Sequence, residues 1–111
     1  MAPLFIEAGR LRHRLVLERP TGEADGAGGL VPGMEAGETV YGLVEPLEPL
    51  ALNDTGFAMP GQRLAVTIRF RPGIAAGDRF RHGARLLVIE SAFDPDETGR
   101  FIRCLCREEG A

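Results

Sequence analysis

The chain contains no lysine and no tryptophan, one serine, one tyrosine and two cysteines in 111 residues. Each shortage closes a route. A phosphate-binding loop needs a lysine to reach the phosphates, so the glycine-rich Gly22–Gly29 stretch cannot be one. Ser91, the single serine, has no histidine near it in sequence, and a serine nucleophile needs a base and an orienter. Cys104 and Cys106 stand two apart, on one face of an extended strand, with Cα atoms roughly 6.5 Å apart, near the upper limit for a disulfide. Reduced, half-buried thiols are the reading that follows. A zinc site would have to recruit His13 and His82 from distant strands and lacks the usual ligand spacing, so no metal is expected. No apolar run approaches the roughly 18 residues of a membrane span. Met1–Arg10 has neither the basic nor the apolar region of a leader, which predicts folding in the cytoplasm and no membrane partner.

All thirteen basic residues are arginine. A GC-rich genome gives the same bias. In either case every positive side chain is a planar fork suited to carboxylate, phosphate or aromatic partners. The charges are segregated. From Pro20 to Gln62 there are seven acids (Glu23, Asp25, Glu35, Glu38, Glu45, Glu48 and Asp54) and no base. The rest holds thirteen arginines against nine acids, a formal +4, although the whole chain carries −3. A bipolar surface suits docking onto copies of itself or onto charged partners.

The length is that of one domain, with a real but modest core. Residues 1–9 read as a terminal arm. Six short segments, bounded by glycine and proline, read as strands: Leu11–Arg19, Glu38–Glu45, Gln62–Arg71, Asp78–His82, Arg85–Ser91 and Arg100–Arg107. In the third, Val66, Ile68 and Phe70 alternate with Thr67, Arg69 and Arg71. The first set is expected in the core and the second on a wet face. Pro49–Thr55 suits one short helix, with Pro49 in the first turn and Gly56 at the stop. Thr21–Gly37 holds six glycines and no periodicity, a long flexible loop or an extended hairpin tip of the kind that is usually functional. The expectation is an all-β molecule, a small six-stranded barrel or sandwich with that loop between strands 1 and 2.

No pair of acids is placed for catalysis. Asp94 and Asp96 fall in the turn DPDETG and are expected to be solvated. No enzyme, catalytic residue or cofactor is implied. Nucleic-acid binding by a small barrel remains a reading. Arg69, Arg71, Arg79 and Arg81 could track a phosphate backbone, but the aromatics between them face inward and the pI near 5.4 is far from that of basic binding domains.

Four stretches in order carry a family resemblance: GRLRHRLVLERP (Gly9–Pro20), ETVYGLVEPL (Glu38–Leu47), VTIRFRPGIAAGDRF (Val66–Phe80) and GARLLVIESAFDPDETGRFIRCLCRE (Gly83–Glu108). Together they resemble the head–tail joining proteins of tailed bacteriophages, the head-closure or stopper proteins, whose relatives occur in gene transfer agents. Tyr41-Gly42 stands where Trp-Ala is common, and Leu86-Leu87 replaces the usual aromatic. The resemblance implies a structural connector at the neck of a virion or phage-like particle, assembled in the bacterial cytoplasm. Such a protein forms a hexameric or dodecameric ring with copies of itself, portal or adaptor above, and tail terminator or tail tube below. Double-stranded DNA passes through the channel without sequence-specific binding. In some members a loop closes the channel. The corresponding loop is Thr21–Gly37, with Glu23, Asp25, Gly26, Gly28, Gly29 and Glu35 as channel or gating residues. Its acids would repel phosphate and its glycines would let it move. Arg12, Arg14, Arg69 and Arg71 are expected at a subunit or adaptor interface.

Overall fold

The alternating segments fold as six antiparallel strands: β1 (His13–Ala24), β2 (Leu30–Pro46), β3 (Arg63–Arg69), β4 (Arg79–His82), β5 (Arg85–Phe93) and β6 (Phe101–Glu109). They close into a barrel in the order β1-β2-β3-β6-β5-β4. The structure, a computed structural model, describes residues 6, 8–24, 30–49, 52, 54–56 and 61–109. A single turn of 3-10 helix, Ala8–Arg10, precedes β1.

Period-two side chains supply the interior. Leu15, Leu17, Leu64, Val66, Ile68, Phe80, Leu87, Ile89, Ile102, Cys104 and Cys106 form one buried cluster. Each large apolar side chain so buried contributes about 1.5–3 kcal/mol. Two bulges shape the wall. On β2, Gly37 and Glu38 oppose the single residue Leu17, and a Cβ on Gly37 would lie 2.9 Å from the Leu17 carbonyl oxygen. On β5, Glu90 is the extra residue, between the pairs Ile89–Cys106 and Ser91–Leu105.

The first bulge is where the β1–β2 pair leaves the barrel. β1 pairs with β4 only through Val16–Arg81, Leu17–Phe80 and Glu18–Arg79. Beyond that, β1 and β2 continue as a two-stranded ribbon whose pairing runs from Glu18–Ala36 to Ala24–Leu30. Most of the Thr21–Gly37 stretch is therefore paired backbone, the extended hairpin of the two forms its sequence allowed. Cross-strand pairing between distant residues supplies the order that local patterning lacks.

Three sequence expectations are corrected. Among the described residues of Pro49–Thr55 there is no helix. Leu52 sits in a bridge and Asp54–Thr55 in a turn, while Leu50, Ala51 and Asn53 lie outside the described residues. The Gln62 side-chain amide donates to the carbonyls of Glu48 and Pro49 at 3.4 and 3.3 Å, occupying acceptors that a first helical turn would present. The outer face of β3 is wet only at its ends, at Arg63 and Arg69, and not in the middle. Ala65 and Thr67 are buried. They are small, and they lie between Leu43 and Glu45 of β2 and Arg103 and Leu105 of β6. Arg103 reaches over β3 to Glu45, with nitrogen and oxygen 3.8 Å apart. Finally, β3 ends at Arg69, so Phe70 leaves the alternation and is 48% exposed, although its N–H still donates to the Arg100 carbonyl at 2.9 Å.

Candidate functional site

Strand register builds an outward row of unlike side chains. Arg14 of β1 opposes Tyr41 of β2, and Arg69 of β3 opposes Phe101 of β6. Between them Gly42 opposes Ile68, so the register carried one residue further sets Tyr41 beside Arg69. Arg14, Tyr41 and Arg69 are exposed, and Tyr41 keeps 55% of its surface open. Arg12, just before β1, is exposed too. Gly42 fixes the middle of this row. A Cβ there would meet Ile68 Cγ2 at 2.9 Å, the Thr67 carbonyl oxygen at 3.0 Å and Leu15 Cδ1 at 3.1 Å. The neighbouring strands close on the space that a side chain would need.

A cleft of about 430 Å³ opens beside the row, lined chiefly by Leu11, Val40, Tyr41, Ile68, Arg69 and Phe70. Its apolar wall and arginine rim are what a protein surface offers to a partner carrying both leucine-type and acidic side chains. The charge balance at the rim is lopsided. Glu38 is occupied by Arg71 at 2.6 Å, which holds its carboxyl below the usual range. Among the described residues, no carboxylate lies within ion-pair distance of Arg12, Arg14 or Arg69. Of the four arginines expected at an interface, the structure brings Arg14 and Arg69 into one row, sets Arg12 beside the first, and engages Arg71 within its own chain.

Arg79 and Arg81, the other half of the phosphate-tracking set, are committed elsewhere. Arg79 Nε donates to Glu18 Oε1 at 2.6 Å, and Arg81 Nε donates to Oε2 at 3.3 Å. Burial alone would raise the Glu18 pKa, but the hydrogen bonds and charges of the two arginines outweigh it and lower the pKa. Arg85 pairs in the same way with buried Glu108 at 2.6 Å.

Asp94 and Asp96, expected to be solvated, are turn scaffolding instead. Asp94 accepts from the N–H groups of Asp96 and Gly99, at 3.3 and 2.6 Å. Asp96 accepts from the N–H and hydroxyl of Thr98, and its carboxylate is 1% exposed. These bonds hold Glu97 at a left-handed φ of 59°. The cysteines are free and fully buried rather than half-buried. Burial pushes the Cys104 thiol up to about 12 and raises that of Cys106 as well. Among the described residues, no three potential metal ligands come together.

Of the channel residues, Glu35 is exposed on the ribbon opposite Arg19, and Glu23 is on β1 opposite Val31. Asp25, Gly26, Gly28 and Gly29 lie outside the described residues. Sequence reasoning missed Tyr41 and Phe70 as site residues. The alternation in VYGL does place Tyr41 opposite the core-facing valines, which is a usable signal. Nothing local marks the departure of Phe70.

The model of the phage head completion protein family matches residues 6–109. No curated protein matches the chain. Among solved structures, a chain from the virion of a native gene transfer agent particle is 28% identical, with a TM-score of 0.69. The match covers 89% of this chain and 94% of that one. The solution structure of protein SF1141 from Shigella flexneri 2a is 25% identical, with a TM-score of 0.69 and coverage of 96% and 98%.

Proposed function

Because the chain belongs to the phage head completion protein family, a structural part of phage-type particles, we propose that it is a ring-forming connector that joins the head side of such a particle to its tail. Portal or adaptor would stand above the ring and tail terminator or tail tube below it, with DNA passing through. The reading is supported by the match over residues 6–109 and by the likeness to a chain of a gene transfer agent virion.

One observation carries the interface. Arg14 and Arg69 share a face, with exposed Arg12 just before β1, and none of the three has a carboxylate partner among the described residues, while the stretch from Pro20 to Gln62 has acids and no base. Copies arranged head to tail would set these unlike surfaces against each other, which is the kind of contact that closes a ring. The ribbon suits the channel side. Glu23 and Glu35 occur in it, Asp25 follows Glu23 closely in sequence, and no base stands between Pro20 and Gln62, so it would repel phosphate rather than grip it.

The test is replacement of Arg14 and Arg69 together by alanine, followed by electron microscopy of the particles. Unjoined heads and tails are the expected product. Normal joining would refute the assignment of this face.

A further inference from the structure

The Tyr41–Phe70 cleft has an apolar wall and a positive rim, and the chain contains a segment of matching chemistry. Directly after β2 come Leu47, Glu48, Leu52 and Asp54, all exposed. Leu47 and Leu52 expose 45% and 54% of their surfaces. Among the described residues, neither Glu48 nor Asp54 forms an ion pair with a guanidinium, and Glu48 Oε1 accepts only the backbone N–H of Arg63, at 3.3 Å. Leucine and carboxylate alternating over a short span is what the cleft and Arg14–Arg69 would receive.

Resting on the connector reading, we infer that this segment seats in the Tyr41–Phe70 cleft of a second copy of the chain. The fold places the two surfaces apart in one molecule. β2 runs from Tyr41 at the cleft to Pro46 at the segment, and β3 returns from Arg63 to Arg69. Tyr41 and Leu47 are six residues apart on an extended path, roughly 20 Å. The base of the segment is tied down. Leu47 N–H donates to the Arg63 carbonyl at 3.0 Å, and Gln62 holds the carbonyls of Glu48 and Pro49. Leu47 and Leu52 stand exposed and outside their own cleft. Socket and plug at opposite ends of the same strand pair make a heterologous contact, which repeats from copy to copy. The apolar part, two leucines against Leu11, Val40, Tyr41, Ile68 and Phe70, supplies the attraction. The carboxylates fix the register against Arg14 and Arg69.

Two complementary variants test the contact. Leu47→Ser with Leu52→Ser leaves the cleft intact, and Tyr41→Ser with Phe70→Ser leaves the segment intact. All four side chains are exposed, and the dispersion of each amide spectrum reports folding. Isotope-labelled Leu47→Ser/Leu52→Ser protein is titrated with unlabelled Tyr41→Ser/Phe70→Ser protein up to about 1 mM, where contacts as weak as millimolar register. Saturating shifts at Leu11, Val40, Tyr41, Ile68 and Arg69 are expected, and adding salt should weaken them. The same shifts should be absent when the unlabelled chain also carries Leu47→Ser and Leu52→Ser. No shifts, or shifts on another face, would assign the cleft to a different protein of the particle and overturn the pairing of copies. Tail joining by particles containing each variant reads the connector role separately. Contact without any effect on joining refutes the role, and defective joining without contact refutes the contact.

Discussion

His13 of β1 and His82 of β4, both half-buried, meet edge to face, with ring centroids 5.0 Å apart. Burial lowers the His82 pKa first, and the charges of His13 and Arg85 lower it further. Arg85 is itself paired with Glu108. The unfolded chain therefore binds a proton at His82 more readily than the folded one. That makes stability full above the ordinary value of 6.5 and progressively lost as pH falls below it toward the lowered folded value. Denaturation midpoints at about pH 7.5 and about pH 5 should differ in that direction, and His82→Phe should flatten the difference. An unchanged slope in that variant would place the loss elsewhere.

Glu18 acts in a lower window. Its pKa is depressed from 4.5, so its contribution is present above that value and disappears as pH falls through the folded one. Replacing it by alanine leaves Arg79, whose side chain is only 19% exposed, with Glu109 at 3.6 Å in place of its 2.6 Å hydrogen bond to Glu18. A loss of about 1–3 kcal/mol is expected, read by urea denaturation.

Gly42→Ala puts a methyl group against Ile68, Leu15 and the Thr67 backbone. Overpacking of this kind costs about 1–3 kcal/mol. Ala36→Gly on the exposed ribbon serves as a comparison that leaves the core untouched. Equal effects of the two would remove the packing explanation.

Cys104 and Cys106 should ignore thiol reagents in the native protein and react stoichiometrically only on unfolding, because their thiolates are disfavoured by burial. Alanine at both positions should weaken the barrel without abolishing particle assembly. Stoichiometric zinc that vanishes in the double variant would contradict a packing role.

Arg14→Ala with Arg69→Ala should leave monomer stability within about 0.5 kcal/mol, as is usual for exposed side chains. It should also leave DNA affinity negligible before and after. Salt-dependent DNA binding that falls in this variant would instead support a nucleic-acid-binding barrel.

Much of the fold was legible because period two is a local property. Leu15–Leu17, Leu64–Val66–Ile68 and Ile102–Cys104–Cys106 announce their face in sequence, and all lie in the core. The ribbon was less so, since its order comes from pairs such as Glu23–Val31, not from a repeating pattern. Thr67 looked wet because the arch that covers it, Arg103 to Glu45, joins residues 58 positions apart. Arg79 and Arg81 looked free for the same reason, as their acceptor Glu18 lies far back in the chain, 61 positions from Arg79. The row of Arg14, Tyr41 and Arg69 appears only once three strands are laid side by side.

The barrel wall also has a seam. β3 and β6 are paired along seven successive positions, Arg63–Arg107 to Arg69–Phe101, whereas β1 and β4 meet only through Val16, Leu17 and Glu18. A load that pulls β1 away from β4 breaks few backbone bonds, and the two arginines gripping Glu18 sit on that line. The cylinder is mechanically anisotropic. It resists shear along β3–β6 and yields first by peeling at β4, so the amides there should exchange with solvent before those of β3.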